Sequence, residues 1–301
     1  MSFFNQLFNA DKKHTPGTYL YFRIFEAVVI YQVLFFSWKW GLYIPQLGEV
    51  ILPLGLANYL DISFMFSGPY SLINAALITF FVALAFIRKG RFFYLLAVLA
   101  MHFQYIARFS QGEISHGSNL TGTALVTLAL GACFFANEVQ RQKSTLGLLV
   151  FLIGLGYVSA SISKLIGTGI NWIDGRHLYL WIGERATDRL SQGGAFSLNF
   201  LQRTLLEHYW MATLTLMIGI GTELLGFLLW FRKLRWLGAT LLIFMHFGVS
   251  MSMSISFNAF VIILFVIGYP WEHLFDFLLK KNSNSSLSSY LQKRLITKNG
   301  G

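Results

Sequence analysis

The chain has 301 residues, of which 55% are hydrophobic and only 12% charged, with a formal charge of +10. A soluble domain carries about 25% charged residues, so the composition excludes an ordinary soluble fold. The basic residues stand in short clusters between apolar runs, which excludes a nucleic-acid surface and reads as topology signals facing anionic lipid.

Residues 1–18 read as a cytoplasmic amphipathic N-terminus, with Phe3, Phe4, Leu7 and Phe8 as its interfacial face. Apolar runs follow over 19–38, 70–87, 92–109, 120–136, 146–165, 209–231, 236–251 and 257–279. Each is close to the roughly 20 residues that cross a hydrocarbon core about 30 Å thick. The first run follows Lys12 and Lys13, but it contains Arg23 and Glu26 and has no small-residue cleavage site. It is expected to remain as a span rather than be removed as a signal peptide. With the N-terminus inside and eight spans, the basic turns at 88–91, 141–143 and 232–235 and the basic stretch after 280 all face the cytoplasm. Short loops are the ones the positive-inside rule weighs most. The expected fold is therefore an all-α membrane protein, a polytopic helical bundle of about eight transmembrane helices, N-in and C-in. Residues 19–279 form the membrane domain, and 280–301 are expected to be a disordered cytoplasmic tail. Between the fifth and sixth runs, 166–208 read as an outer interfacial helical segment. Leu178, Trp181, Ile182 and Arg185 recur there at helical spacing, and Trp172 is a second tryptophan.

An ionisable group at mid-membrane costs at least about 2.5–3.5 kcal/mol on insertion scales, so each one is informative. Arg23 and Glu26, three apart, can neutralise each other on one helix. Glu223 falls in the inner half of its run, as a helix–helix hydrogen-bonding group or a proton relay. His102 and His246 each stand about ten residues into runs of the same direction, hence at matched depth. They are either packing histidines or paired functional groups. His116 lies in an outer loop. Lys164 ends the fifth run beside Ser159, Ala160, Ser161 and Ser163. Small residues allow close helix approach or leave room for a ligand. The lysine is either snorkelling to the interface or a desolvated base. The single cysteine, Cys133, forms no internal disulfide and reads as a buried apolar thiol. No HExxH, GxSxG, EF-hand or nucleotide-loop pattern is present.

Tyr157 to Lys164-Leu165, followed by Trp172-Ile173-Asp174-Gly175, resembles a signature of the membrane region of vitamin K-dependent gamma-carboxylase, within the horizontally transferred transmembrane (HTTM) family. Glu223-Leu224-Leu225-Gly226-Phe227, His246 ahead of the Ser/Met-rich stretch 250–256, and Arg23 extend the resemblance over about residues 15–275. The resemblance implies Lys164 as the base on a reduced, vitamin K-like quinone, with His246 or His116 hydrogen-bonding the quinone. Tyr157, Ser161, Trp172, His102 and Glu223 complete the expected pocket. Two features depart from the family pattern. Ser161-Ile162-Ser163 stands where Gly-x-Lys is usual, and 280–301 offer no counterpart of the carboxylase's large extracytoplasmic region. Quinone or isoprenoid-lipid chemistry is therefore expected in preference to glutamate carboxylation.

Two functions follow. One is an HTTM-type enzyme of the multi-pass cell membrane, a bacterial inner membrane, acting on a lipidic quinol with a lysine base at the outer side. The other is a non-catalytic membrane factor for export, maturation or tolerance of a secreted peptide or a partner protein. A solute transporter is disfavoured, because the hydrophobic pattern shows no internal repeat. The lipid bilayer is a partner in either case, and nucleic acid is not.

Overall fold

A computed structural model describes residues 2–9, 11, 13–48, 51–112 and 116–281. Lys12, Glu49 and, of the tail expected to be disordered from 280 onward, residues 282–301 lie outside the described residues, while Lys280 and Lys281 belong to the last helix. The described residues are helical throughout, without strands. In chain order the helices are α1 (Phe3–Phe8), α2 (Pro16–Tyr43), α3 (Tyr70–Phe86), α4 (Phe93–Phe109), α5 (Asn119–Phe134) and α6 (Glu138–Thr168). They continue with α7 (Gly175–Gly193), α8 (Phe200–Glu207), α9 (Tyr209–Leu224), α10 (Arg235–Met253), α11 (Asn258–Gly268) and α12 (Trp271–Lys281).

All eight apolar runs are helical. Four stretches, Pro16–Gln46, Glu138–Ile173, Tyr209–Trp230 and Arg235–Met253, are long and apolar enough to cross a membrane. Helices α3 and α4 have 17 residues each and α5 has 16. At 1.5 Å per residue they reach about 24–26 Å, short of a full core. The last run is interrupted at Tyr269–Pro270, where proline lacks an N–H and restricts the residue before it. Counted as one broken span, α11 and α12 would be a fifth. The exposed faces are as apolar as the buried ones. Mid-helix Phe35, Phe80 and Phe247 are more than half exposed while Phe22, Phe25 and Val29 are fully buried. Helices apolar on every side belong in lipid, and the set is consistent with an integral membrane protein.

Where the sequence reads as one membrane domain, the chain groups into two compact units, 8–149 with 270–301, and 1–7 with 150–269. In the first, α2 starts on a capping box in which the Thr15 side chain accepts from the Thr18 N–H, with Pro16 in the first turn. Helices α2, α3 and α4 are tied by hydrogen bonds from Ser71 Oγ to the Gly41 carbonyl (2.7 Å) and from Gln104 Nε2 to the Ser37 carbonyl (3.0 Å). Glu26, with its side chain 1% exposed, pairs with Arg23 as the spacing predicts. It also binds Arg88 (Nη2 to Oε2, 2.8 Å) and accepts from the Tyr94 hydroxyl (2.6 Å). Arg88 also reaches Glu138 (3.3 Å), which pairs with Arg141.

The second unit is built on α9. Leu178 and Ile182 of α7 pack with Leu205 of α8 and with Ala212 and Leu216 of α9 in one buried cluster. The apolar face of α7 that the sequence offers to a membrane surface is thus turned largely inward. Asp174 caps α7, accepting from the Arg176 side chain and from its backbone N–H, and these bonds hold its carboxyl below the usual carboxylate range. The Gly175 N–H donates to Thr213 Oγ1 (3.1 Å), fixing the start of α7 against α9.

Candidate functional site

The second unit encloses a cavity of about 510 Å³, within the range of small-molecule sites. Its walls are mostly apolar, including Leu216, Phe244, Val249 and Phe257, and Lys164, Glu223 and His246 are its ionisable groups.

Lys164 comes from the last turns of α6 and Glu223 from the end of α9. Nζ lies 2.5 and 2.6 Å from the two carboxylate oxygens, with side chains 30% and 14% exposed. Nζ also stands 4.9 Å from the centroid of a Trp172 ring, within cation–π range. Trp172 is held in the 3-10 turn Gly169–Ile173, and its ring meets Trp181 of α7 at 5.4 Å. The sequence puts Lys164 at an outer mouth and Glu223 in the inner half of its run. The direct ion pair brings the ends of these two side chains together.

His246 of α10 forms the second polar pole. It is 5% exposed. Its Nε2 lies 2.5 Å from the Tyr157 hydroxyl of α6, and Phe257 and Phe260 pack on its ring at 4.9 and 5.4 Å. Nδ1 is buried without a hydrogen-bond partner. Whichever of Tyr157 and Nε2 donates, Nδ1 keeps one capacity to bond, as donor in one tautomer and acceptor in the other. Tyr157 does not line the cavity but fixes the ring that does. A Cβ on Gly226 would come 2.7 Å from the Tyr157 Cβ. Only glycine admits the tyrosine at that closeness.

Six of the residues and short motifs quoted for the family resemblance, Tyr157, Lys164, Trp172–Gly175, Glu223, Gly226 and His246, thus converge in one unit although they span some ninety positions. Two other expected members, Ser161 and His102, are not among the residues that line the cavity. Ser161 is fully buried, but its Oγ donates to the Ile220 carbonyl (3.2 Å) and serves the α6–α9 contact. His102 lies on an exposed face of α4 in the other unit. His116 starts a 3-10 turn in that same unit, with its side chain outside the described residues. Sequence reasoning missed Phe244 and Phe257 as cavity walls. An aromatic in an apolar run carries no signal separating lipid, core and ligand faces. Among the described residues no group of three or more His, Cys, Asp or Glu could hold a metal ion.

Comparison with protein-family models, with characterised proteins and with solved structures finds no match.

Proposed function

We propose that this chain is an integral membrane enzyme of the HTTM, carboxylase-like type, with eight crossings, both termini inside, in a bacterial inner membrane. It acts on a lipophilic quinol bound in the cavity of the 150–269 unit. The observation that carries the reading is the Lys164–Glu223 ion pair on the wall of an otherwise apolar cavity. A buried ion pair adds little to stability over apolar side chains of similar size, so its placement against a ligand-sized hollow favours a chemical role. Two features support a ring-shaped, neutral ligand. The pair carries no net charge to attract an anion, and the Trp172 face and the His246 ring stand at separate places on the wall. On this reading a quinol lies between them, its hydroxyl at the ion pair, where the proton can leave.

The test is binding and turnover in nanodiscs with a prenylated naphthohydroquinone, followed by quenching of Trp172 and Trp181 fluorescence. Wild type should quench saturably. Lys164→Ala should weaken binding at least tenfold and abolish turnover, while Lys164→Arg should retain binding. Unimpaired binding and turnover by Lys164→Ala would remove the proposed role. Recovery of a stoichiometric protein partner, with no quinone binding, would make the chain a docking factor instead.

A further inference from the structure

We infer that Glu223, not Lys164, is the group that accepts the substrate proton, and that Lys164 stays an ammonium and holds the oxyanion so formed. The inference rests on the quinol reading above and divides its labour between two residues.

The geometry around Nζ is that of a cation's binding site. Both oxygens of Glu223 contact it and the Trp172 ring lies beside it. A carboxylate and an aromatic face hold an ammonium more strongly than a neutral amine. An ammonium has no lone pair with which to take a proton. The carboxylate does, since each oxygen can accept more than one hydrogen bond, and Glu223 faces the same cavity. A phenolic hydroxyl entering beside the pair therefore meets one acceptor and one cation. Its O–H bond breaks, the proton forms an O–H bond on Glu223, and the phenolate oxygen takes the place beside Nζ that the carboxylate held. Charge balances within the site: one carboxylate becomes an acid as one phenol becomes an anion. The second pole takes no part in this step, because Nε2 of His246 is engaged with Tyr157 and its Nδ1 is buried.

The experiment uses the full chain in nanodiscs with a 2-alkyl-4-nitrophenol, whose phenolate is yellow, below the pH at which the free probe ionises. Colour reports where the probe's proton has gone. Calorimetry in two buffers of different ionisation enthalpy counts protons released to solvent. Wild type should bind the probe as phenolate with no net release, the proton remaining on Glu223. Glu223→Gln should either bind it colourless or bind it yellow with about one proton released per probe. Glu223→Asp, which restores a carboxylate, should return to yellow without release. A yellow, non-releasing Glu223→Gln protein would assign the proton to Lys164, overturning this inference and sparing the cavity reading. Colourless binding by the wild type would overturn this inference and spare the cavity reading, and failure of the wild type to bind the probe would overturn both.

Discussion

Arg88 concentrates several constraints in one residue. It follows α3 in the left-handed region, at φ 63°, where a non-glycine residue costs roughly 1–2 kcal/mol. That conformation ends the helix and turns the guanidinium onto Glu26 and Glu138. The basic turn that the sequence offers as a topology signal is therefore also a structural clamp. Glu26 sits at its centre, taking up Arg23, Arg88 and the Tyr94 hydroxyl. Glu26→Gln should cost about 3–5 kcal/mol, because removing one partner of a buried pair strands the other. Thermal unfolding in detergent measures this. Adding Arg88→Gln should recover part of the loss, the non-additivity expected of contacting residues.

At the scale of elements, the end of the last apolar run shows how local chemistry and packing divide the work. Proline at 270 ends α11, but a close approach to α10 positions that end. A Cβ on Gly268 would lie 2.2 Å from the Ala239 Cβ, so the two helices meet backbone to side chain. Gly268→Ala should destabilise by about 1–3 kcal/mol, as overpacking does, and Ala239→Gly in the same chain should restore most of it. A thermal shift assay on the three variants checks both. Helix α7 makes a related point. Its apolar spacing predicts a helix correctly, while its main neighbour proves to be α9. An amphipathic pattern fixes that a face is covered and leaves open what covers it.

At the scale of the whole molecule, the proposed N-in, C-in topology makes definite demands. In a Cys133→Ser background, single cysteines at 89, 143 and 233 should be labelled by a membrane-impermeant maleimide only after the cell membrane is opened. One at 184 should be labelled in intact cells. Labelling of 89 or 233 from outside would reverse or break the eight-span order. The short helices α3, α4 and α5 make the test worthwhile, since helices of 16 and 17 residues need local thinning of the bilayer or flanking polar groups to cross it.

That the chain is helical, where its apolar helices lie and that Arg23 pairs with Glu26 can be read from the residues alone, because these depend on composition, run length and contacts within one helix. The sequence also singled out Lys164, Glu223 and His246, since an ionisable group in an apolar run is conspicuous wherever it ends up. Which of them meet is a matter of how the helices pack. Lys164 lies 59 positions from Glu223, and Tyr157 lies 89 from His246. Which faces of separate helices touch depends on how side chains pack, and neither hydropathy nor depth along a run encodes that. His102 and His246 carry equal promise in the sequence, yet the fold buries one against a cavity and leaves the other on an exposed face of a different unit.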